Sequence, residues 1–273
     1  MSKKIFFTDL DDTLLNTQKE ISDRNRAALD ELRRRGHIIT IATGRATGSA
    51  IPLAHRLGLD GENCYMITYN GSQIYDWKTG KNIYQAGLPM ELVRFLFDEG
   101  RKFDIDIQTY SEDAVLVEWD SYDIREYIKI QDIPFHIVDD VTKVLTWEPP
   151  KVLAADYRNI NRVNEFRRYI EPKVKGRADT FLSHPELLEF VPVGVNKGTA
   201  IHFLCHYLGL PVENTVAAGD AENDLTMLQA AHVGCAMING EEKVKQAADY
   251  VTVNDCDHDG VAEILHRFIL DVE

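Results

Sequence analysis

In the stretch Ile5-Phe6-Phe7-Thr8-Asp9-Leu10-Asp11-Asp12-Thr13-Leu14, an apolar run leads directly into three carboxylates. Residues 5–7 are typical of a buried strand, and Asp9, Asp11 and Asp12 follow where that strand ends. Like charges this close together raise the energy of a folded chain unless a cation neutralises them. An acidic turn that caps a helix would use the same residues, so this stretch alone leaves both interpretations open.

The sequence on the carboxyl side alternates short β-rich runs with amphipathic segments, a pattern that predicts a parallel sheet with crossover helices. Ser22 is placed to cap a helix over 23–35, and Gly36 fits the position after its end. The same pattern predicts strands at 37–42 and 65–69, a helix at 49–57 and a turn at Asn70-Gly71.

The alternation returns after residue 192, whereas residues 86–190 combine paired strands with helices and read as an α+β insertion. The returning elements are helices at 197–208, 222–231, 241–248 and 261–270, and strands at 215–218, 233–237 and 250–253. We therefore predict an α/β protein in which residues 1–85 and 191–273 form a Rossmann-like, doubly wound parallel sheet. Residues 86–190 are predicted to form an inserted α/β domain.

Composition limits the kinds of partner that fit the chain. The 273 residues carry 30 Lys and Arg against 44 Asp and Glu, a formal charge of −14, which disfavours nonspecific binding to nucleic acid. Four widely spaced cysteines suggest reduced thiols, and no run approaches the ~18 apolar residues of a membrane span. We expect a cytoplasmic protein that binds neither nucleic acid nor a membrane.

Further polar groups lie at the predicted strand ends, where ligands bind in a doubly wound sheet. Thr43-Gly44-Arg45 follows the second strand, and Gly219 to Asp224 follows the strand that begins at 215. Lys197 begins the helix after the insertion, so its ammonium group is expected to reach the same edge. Carboxylates, a hydroxyl, an amide and an ammonium group at one edge favour a cation and an anion binding there together.

These segments resemble the motifs of the haloacid dehalogenase superfamily, in the same order: Asp9-x-Asp11-x-Thr13, Thr43-Gly44-Arg45, Val195-Asn196-Lys197-Gly198 and Gly219-Asp220-x-x-Asn223-Asp224. The chain resembles the Cof-type phosphatases of that superfamily over nearly its whole length. Ile67 to Gly71 and Glu189 to Gly198 make it similar to the bacterial sugar phosphatases.

The resemblance implies that Asp9 is the nucleophile that forms an aspartyl-phosphate and that Asp11 is the acid and base. It also implies that Asp9, the backbone carbonyl of Asp11 and Asp220 hold Mg²⁺. Asp224 is expected to orient Lys197 or a metal-bound water. The family usually has Gly where this chain has Asp12, and Asp tolerates the same backbone angles nearly as well.

The phosphoryl group is expected to be held by the backbone around Leu10 and by Thr43, the Gly44 amide, Lys197 and Asn223. Arg45 is a further candidate, although an ion pair to a neighbouring carboxylate explains it equally well. The insertion resembles the cap domain of Cof-type proteins, which implies that it sets substrate specificity.

The resulting prediction is a Mg²⁺-dependent phosphatase, a phosphoric monoester hydrolase, acting on small phosphorylated metabolites, with sugar phosphates the first expectation. A phosphomutase or phosphotransferase that uses the same intermediate is an alternative, as is a non-catalytic regulator that binds phosphorylated metabolites. The sequence decides neither the substrate nor the oligomeric state.

Overall fold

The structure is a computed structural model that describes residues 3–111, 114–131 and 133–272. Contacts divide the chain into two compact units. The first unit comprises Met1–Gly44, Pro52–Tyr84 and Asn196–Glu273, and the second comprises Arg45–Ile51 and Gln85–Val195.

The first unit contains an eight-stranded sheet. Its strands are β1 (Ile5–Thr8), β2 (Ile38–Ala42), β3 (Cys64–Thr68), β4 (Gln73–Asp76), β5 (Lys81–Gln85), β12 (Thr215–Gly219), β13 (Val233–Ala236) and β14 (Tyr250–Val251). The strand order is β14-β13-β12-β1-β2-β3-β4-β5, and every neighbouring pair from β14 to β3 is parallel. β4 runs antiparallel to β3. The predicted doubly wound parallel sheet is confirmed.

Strand order reverses between β1 and β12, which lie side by side at the centre of the sheet. From β1 the chain adds β2 and β3 on one side, and much later it adds β12, β13 and β14 on the other. A reversal of this kind opens a crevice at the carboxyl ends of the two central strands. Asp9, directly after β1, is tied there by its backbone N–H, which donates to the Ala218 carbonyl at 3.0 Å.

The helices around this sheet begin and end close to the predicted residues. They are α1 (Asp23–Arg34), α2 (Thr47–Arg56), which extends from the second unit into the first, α7 (Lys197–Leu208), α8 (Leu225–Ala230), α9 (Glu242–Ala247) and α10 (Gly260–Leu265). Ser22 caps α1 as predicted, since its hydroxyl oxygen accepts a hydrogen bond from the Asn25 N–H at 3.2 Å. Asn25 Oδ1 in turn accepts from the Ala262 N–H at 2.8 Å and joins α1 to α10.

The second unit contains a six-stranded sheet with helices. Its elements are α3 (Met90–Phe103), β6 (Asp106–Tyr110), β7 (Val115–Val117), α4 (Tyr122–Gln131), β8 (Phe135–Ile137), α5 (Val141–Val144), β9 (Val152–Ala155), α6 (Ile160–Val174), β10 (Asp179–His184) and β11 (Leu187–Val191). The strand order is β10-β11-β9-β6-β7-β8, and only β7 and β8 among the described pairs are parallel. Apolar side chains of α3 and α6 pack with one face of this sheet to form its core.

Several elements differ from the sequence-based predictions. The predicted helix over 222–231 is a 3₁₀ turn, Glu222–Asp224, followed by α8, and the predicted last helix is α10 followed by a π-helical turn, His266–Leu270. Strands β4, β5 and β8 and the short α5 were not predicted. β5 is a partly exposed strand at the sheet edge and lacks the apolar pattern that marks buried strands.

The structure also bears on two sequence-based expectations, one on membrane-spanning segments and one on the cysteines. Within residues 3–111, 114–131 and 133–272, the helices are too short or too polar to cross a lipid bilayer. All four cysteines are free thiols and are buried.

Candidate active site

Lys197 lies between two carboxylates at the carboxyl ends of β1 and β12. Its Nζ is 2.6 Å from Asp9 Oδ1 and 2.6 Å from Asp224 Oδ1, and each pair forms a hydrogen bond as well as an ion pair. The Lys197 side chain is fully buried, and Asp9 is 8% exposed. The chain therefore joins three charged groups from distant segments into one buried ion-pair network.

The start of α7 fixes the position of Lys197. Asn196 precedes it and caps the helix, because its side-chain oxygen accepts from the Thr199 N–H at 2.9 Å. The Thr199 hydroxyl oxygen accepts from the Asn196 N–H at 3.1 Å, which completes a reciprocal capping box. Lys197 is consequently the first helical residue, with its side chain directed to the ends of β1 and β12.

The charges around Lys197 keep it protonated. Burial alone lowers the pKa of a lysine, but the carboxylates of Asp224 and Asp9 more than offset this effect and raise the pKa of Lys197 above its usual value. Lys197 is therefore a cation at neutral pH, despite its burial.

Asp224 holds the loop after β12 as well as Lys197. It is fully buried, and its Oδ2 accepts from the backbone N–H groups of Asp220 at 3.0 Å and Ala221 at 3.1 Å. Its other oxygen accepts from Lys197. This arrangement agrees with the expectation that Asp224 orients Lys197.

Asp9, Asp220 and Asp224 form a carboxylate cluster in which one oxygen from each residue lies within 4.8 Å of the others. Burial, followed by the charge of Asp224, raises the pKa of Asp220 to about 7. Burial also raises the pKa of Asp9 well above its usual value; Lys197 opposes the shift, and Asp224 and Asp220 add to it. Three carboxylates with one ammonium group leave excess negative charge, so these hard oxygen donors fit a divalent metal ion.

Thr13 has a role that the sequence did not predict. Its hydroxyl donates to Asp220 Oδ1 at 2.6 Å, so it fixes a carboxylate of the cluster rather than only its own turn. Asp12 has a φ of 59°, a left-handed conformation in agreement with the expectation that Asp tolerates the backbone angles usual for Gly at this position.

The Asp11 side chain lies outside the carboxylate cluster, and its Oδ1 is 3.1 Å from Lys19 Nζ. Its predicted metal contact involves the backbone carbonyl and stays a prediction. Leu10 is fully buried, and its carbonyl accepts from the Leu15 N–H at 2.8 Å, which closes the loop after β1.

The remaining predicted phosphate ligands lie at the ends of neighbouring strands. Thr43 is 2% exposed and its N–H donates to the Ile67 carbonyl at 2.9 Å, so it follows β2 and stays attached to β3. Asn223 is half-buried, and its Nδ2 donates to Asn70 Oδ1 at 2.9 Å. Arg45 is 8% exposed and is grouped with the second unit.

Asn70 was predicted as a turn residue within the segment Ile67 to Gly71, with no role at the site assigned to it, yet it contacts two of the predicted phosphate-binding segments. Its N–H donates to the Thr43 carbonyl at 3.1 Å, in addition to the bond from Asn223. An Asn-Gly pair directly after a buried strand, at the same sheet edge as the other polar groups, is the only sequence signal for this role.

Comparisons with known proteins identify the family of this chain. Residues 6–265 match the family described as haloacid dehalogenase-like hydrolase. A crystal structure of a haloacid dehalogenase-like hydrolase from Bacteroides thetaiotaomicron has a TM-score of 0.88 and 31% identity, over 98% of this chain and 100% of the other.

Two curated relatives differ in length and name. The 5-amino-6-(5-phospho-D-ribitylamino)uracil phosphatase YcsE of Bacillus subtilis (strain 168) is 30% identical, over 98% of this chain and 96% of the relative. Endoribonuclease YBEY, chloroplastic, of Arabidopsis thaliana is 32% identical over 96% of this chain, which spans 46% of that longer protein.

Proposed function

Because this chain belongs to the haloacid dehalogenase-like hydrolases, we propose that it is a Mg²⁺-dependent phosphatase of small phosphorylated metabolites, with Asp9 as the nucleophile. One observation carries the proposal: buried Lys197 bridges Asp9 and Asp224 beside Asp220, at the switch point of the sheet. A carboxylate nucleophile, a cation and a candidate metal site thus meet where a doubly wound sheet binds its ligands.

In the first step, a carboxylate oxygen of Asp9 forms a bond to phosphorus while the bond between phosphorus and the ester oxygen breaks. Asp11 donates a proton to the departing oxygen, so the leaving group departs as a neutral alcohol. The Asp11 carboxylate pairs with partly exposed Lys19, and such a pair contributes little stability and opens easily.

In the second step, a water oxygen attacks the phosphorus of the aspartyl-phosphate. Asp11, now ionised, accepts a proton from that water, and the bond between phosphorus and Asp9 breaks. Inorganic phosphate leaves, and both residues regain their starting protonation states.

Asp9 and Asp220 are the side chains that would hold the metal ion, together with the backbone carbonyl of Asp11. A bound Mg²⁺ would offset the repulsion between the Asp9 carboxylate and a phosphate dianion and would stabilise charge on the transferring group. Asp224, although part of the carboxylate cluster, is committed to Lys197 and to two backbone N–H groups, so we assign it to positioning.

The Thr43 hydroxyl, the Gly44 N–H, the backbone around Leu10, Lys197 and Asn223 are proposed to hold the phosphoryl oxygens. Each offers a donor, and donors fixed by the fold stabilise the charge of the transferring group without further reorganisation. With a formal charge of −14, the protein attracts an anionic substrate only through these local groups.

We assign the choice of leaving group to the second unit, the predicted cap, with Arg45 as a candidate contact. Phosphate esters of sugar-like polyols are the proposed substrates. The name of the relative from Bacillus subtilis gives it a substrate with a phosphorylated ribityl chain, which supports this class.

The test is release of inorganic phosphate from sugar phosphates, polyol phosphates, nucleotides and an aryl phosphate, with Mg²⁺ or with a chelator. Wild type is compared with Asp9→Asn and with Asp12→Asn, a matched control in the same loop whose side chain is 56% exposed. We expect metal-dependent release that falls at least about 1,000-fold in Asp9→Asn, since an amide is a poor nucleophile, and changes less than about twofold in Asp12→Asn.

Full turnover in Asp9→Asn would refute the mechanism. If wild type binds inorganic phosphate but releases none from any ester, the phosphatase assignment itself fails.

A further inference from the structure

The turn Tyr69–Gly71 after β3 has a left-handed backbone throughout, a conformation that glycine adopts freely, asparagine tolerates and tyrosine disfavours. Three successive φ angles are positive: 50° at Tyr69, 56° at Asn70 and 113° at Gly71. Non-glycine residues hold such angles only where the surrounding structure fixes them, and these cases concentrate at functional sites. Tyr69 and Asn70 are 2% and 1% exposed, so buried contacts fix this turn.

The contacts of Asn70 lead to the segments proposed to bind phosphate. Its backbone N–H donates to the Thr43 carbonyl at 3.1 Å, and its Oδ1 accepts from Asn223 Nδ2 at 2.9 Å. A Cβ atom on Gly44 would lie 3.1 Å from both Oδ1 and Nδ2 of Asn70, so the Asn70 amide packs directly on the Gly44 backbone. One buried residue thus contacts three proposed phosphate ligands.

The bond from Asn223 to Asn70 determines how Asn223 presents its amide. An Asn side chain has one end that accepts and one NH₂ end that donates twice, and rotation by half a turn exchanges them. Because Asn70 Oδ1 accepts one N–H of Asn223, the donating end is fixed on this side. The second N–H of the same nitrogen then has a defined direction, as an anion ligand requires.

The next residue connects the same turn to Lys197. A Cβ atom on Gly71 would lie 2.4 Å from the carbonyl oxygen of Asn196, the residue that caps α7 immediately before Lys197. The Asn70-Gly71 pair therefore packs against the end of β2, the loop after β12 and the start of α7.

We propose that Asn70 is a positioning residue that orients the Asn223 amide, and packs against Gly44, for binding of the transferred phosphoryl group. The inference rests on the proposed function, because it takes Asn223 as a phosphoryl ligand. It assigns to the Asn70 side chain a role beyond shaping the turn.

Asn70→Gly separates the two roles, since glycine accepts a left-handed conformation more readily than asparagine but has no amide. Asn63→Gly is the matched control: Asn63 has a φ of 63°, lies before β3 rather than after it, and bonds to Lys3. With Asn223→Ala and the Asn70→Gly/Asn223→Ala double variant, these proteins form a double-mutant cycle. The measurements are kcat and KM for an aryl phosphate and the inhibition constant of inorganic phosphate.

We expect Asn70→Gly and Asn223→Ala each to weaken inhibition by phosphate and to lower kcat/KM by roughly 10- to 150-fold, the range for a hydrogen bond to a charged group. The double variant should lose no more than about twofold beyond the worse single variant, because both changes remove the same contact. Asn63→Gly should retain wild-type kinetics.

A measurement independent of activity is the side-chain amide resonance of Asn223 in a ¹H–¹⁵N NMR spectrum, assigned by its loss in Asn223→Ala. It should move in Asn70→Gly and stay in Asn63→Gly. Asn70→Asp, which keeps the accepting oxygen and tolerates the same φ, is the second variant should Asn70→Gly fail to fold, and it should retain the hydrogen-bonded resonance.

Wild-type kinetics in Asn70→Gly, losses that multiply in the double variant, or an unchanged Asn223 resonance in Asn70→Gly would each overturn the inference. A loss of the hydrogen-bonded resonance in Asn70→Asp would do so as well. Failure of the proposed function is a different result, namely a wild-type protein that hydrolyses no phosphate ester, and the NMR outcome then still decides whether Asn70 orients Asn223.

Discussion

Asp224→Asn is the substitution whose cost follows most directly from the structure. One oxygen of Asp224 accepts from the Lys197 ammonium group, and the other accepts from the backbone N–H groups of Asp220 and Ala221. All three partners are donors only. An amide supplies a single oxygen, so in either orientation its NH₂ group faces a donor inside a fully buried site.

The expected loss combines two effects. A hydrogen bond to a charged group contributes about 1.5–3 kcal/mol, and a buried donor without an acceptor costs about 1–3 kcal/mol. We therefore expect Asp224→Asn to destabilise the first unit by about 3–5 kcal/mol, in the range for breaking a buried ion pair. The value of kcat/KM should fall about 100-fold, because the Lys197 ammonium group and the Asp220 backbone N–H no longer share one carboxylate that holds both in place.

The assay is hydrogen exchange of peptides from β1 and β12, which reports the first unit alone. A loss of 3–5 kcal/mol corresponds to exchange that is faster by about 10²–10⁴-fold. The control is Asp249→Asn: this exposed carboxylate accepts from the backbone N–H of Gly234 at 2.8 Å, and an amide oxygen can replace it there. If the free energy of opening measured by exchange in Asp224→Asn is within 1 kcal/mol of that in the control, the reasoning is refuted.

Three further predictions concern other parts of the chain. Gly71→Ala should lower the free energy of unfolding by about 2–4 kcal/mol, because the new Cβ would meet the Asn196 carbonyl and the φ of this residue is 113°. Gly36→Ala is the control, since Gly36 has open space around it, and it should lower the free energy of unfolding by about 1 kcal/mol. Denaturant titration compares the two variants. Burial raises the pKa of Asp106 to about 6, so the stability that its protonated form contributes is lost as the pH rises from about 4 to about 6. At pH 8, the free energy of unfolding of Asp106→Asn should therefore exceed that of wild type by about 1–2 kcal/mol, after allowance for partial exposure, and its melting temperature should be higher. At pH 4, the two proteins should be equally stable. Mg²⁺ at about 100 times its Kd should stabilise wild type by about 2.7 kcal/mol in a thermal-shift assay, and Asp220→Asn should lose most of that effect.

The central part of the fold was predictable because its strands are buried on both faces. β1 and β2 consist wholly of buried residues, and such strands appear in a sequence as short continuous apolar runs. The start of α7 at Lys197 was predicted as well, and the structure shows a local reason for it, since Asn196 caps the helix. β5 has no such signal, since it is partly exposed and depends on its place at the end of the sheet.

The same distinction applies to the candidate site. The topology of a parallel sheet places Asp9, Thr43 and Asp220 at one edge, so their proximity could be inferred from strand ends alone. The partner of each side chain could not be inferred. The Thr13 hydroxyl donates to the carboxylate of Asp220, 207 residues away, and the Asn70 amide accepts from the amide of Asn223, 153 residues away. Neither pair has a local signature in the sequence.

The division of the first unit into separate segments has a consequence for synthesis on the ribosome. β1 is made well before β12, one of its two neighbours in the sheet, and Lys197 lies 188 residues beyond Asp9. At about 5–20 residues per second, the first strand waits roughly 10–40 s for that partner. During this time the edge of β1 that will pair with β12 is exposed near the ribosome exit, and so are the carboxylates that follow β1. The continuous segment 85–195 is completed before β12 is made. Translation speed and early-binding chaperones should therefore affect the yield of active protein more than they would for a chain whose central strands are neighbours in sequence.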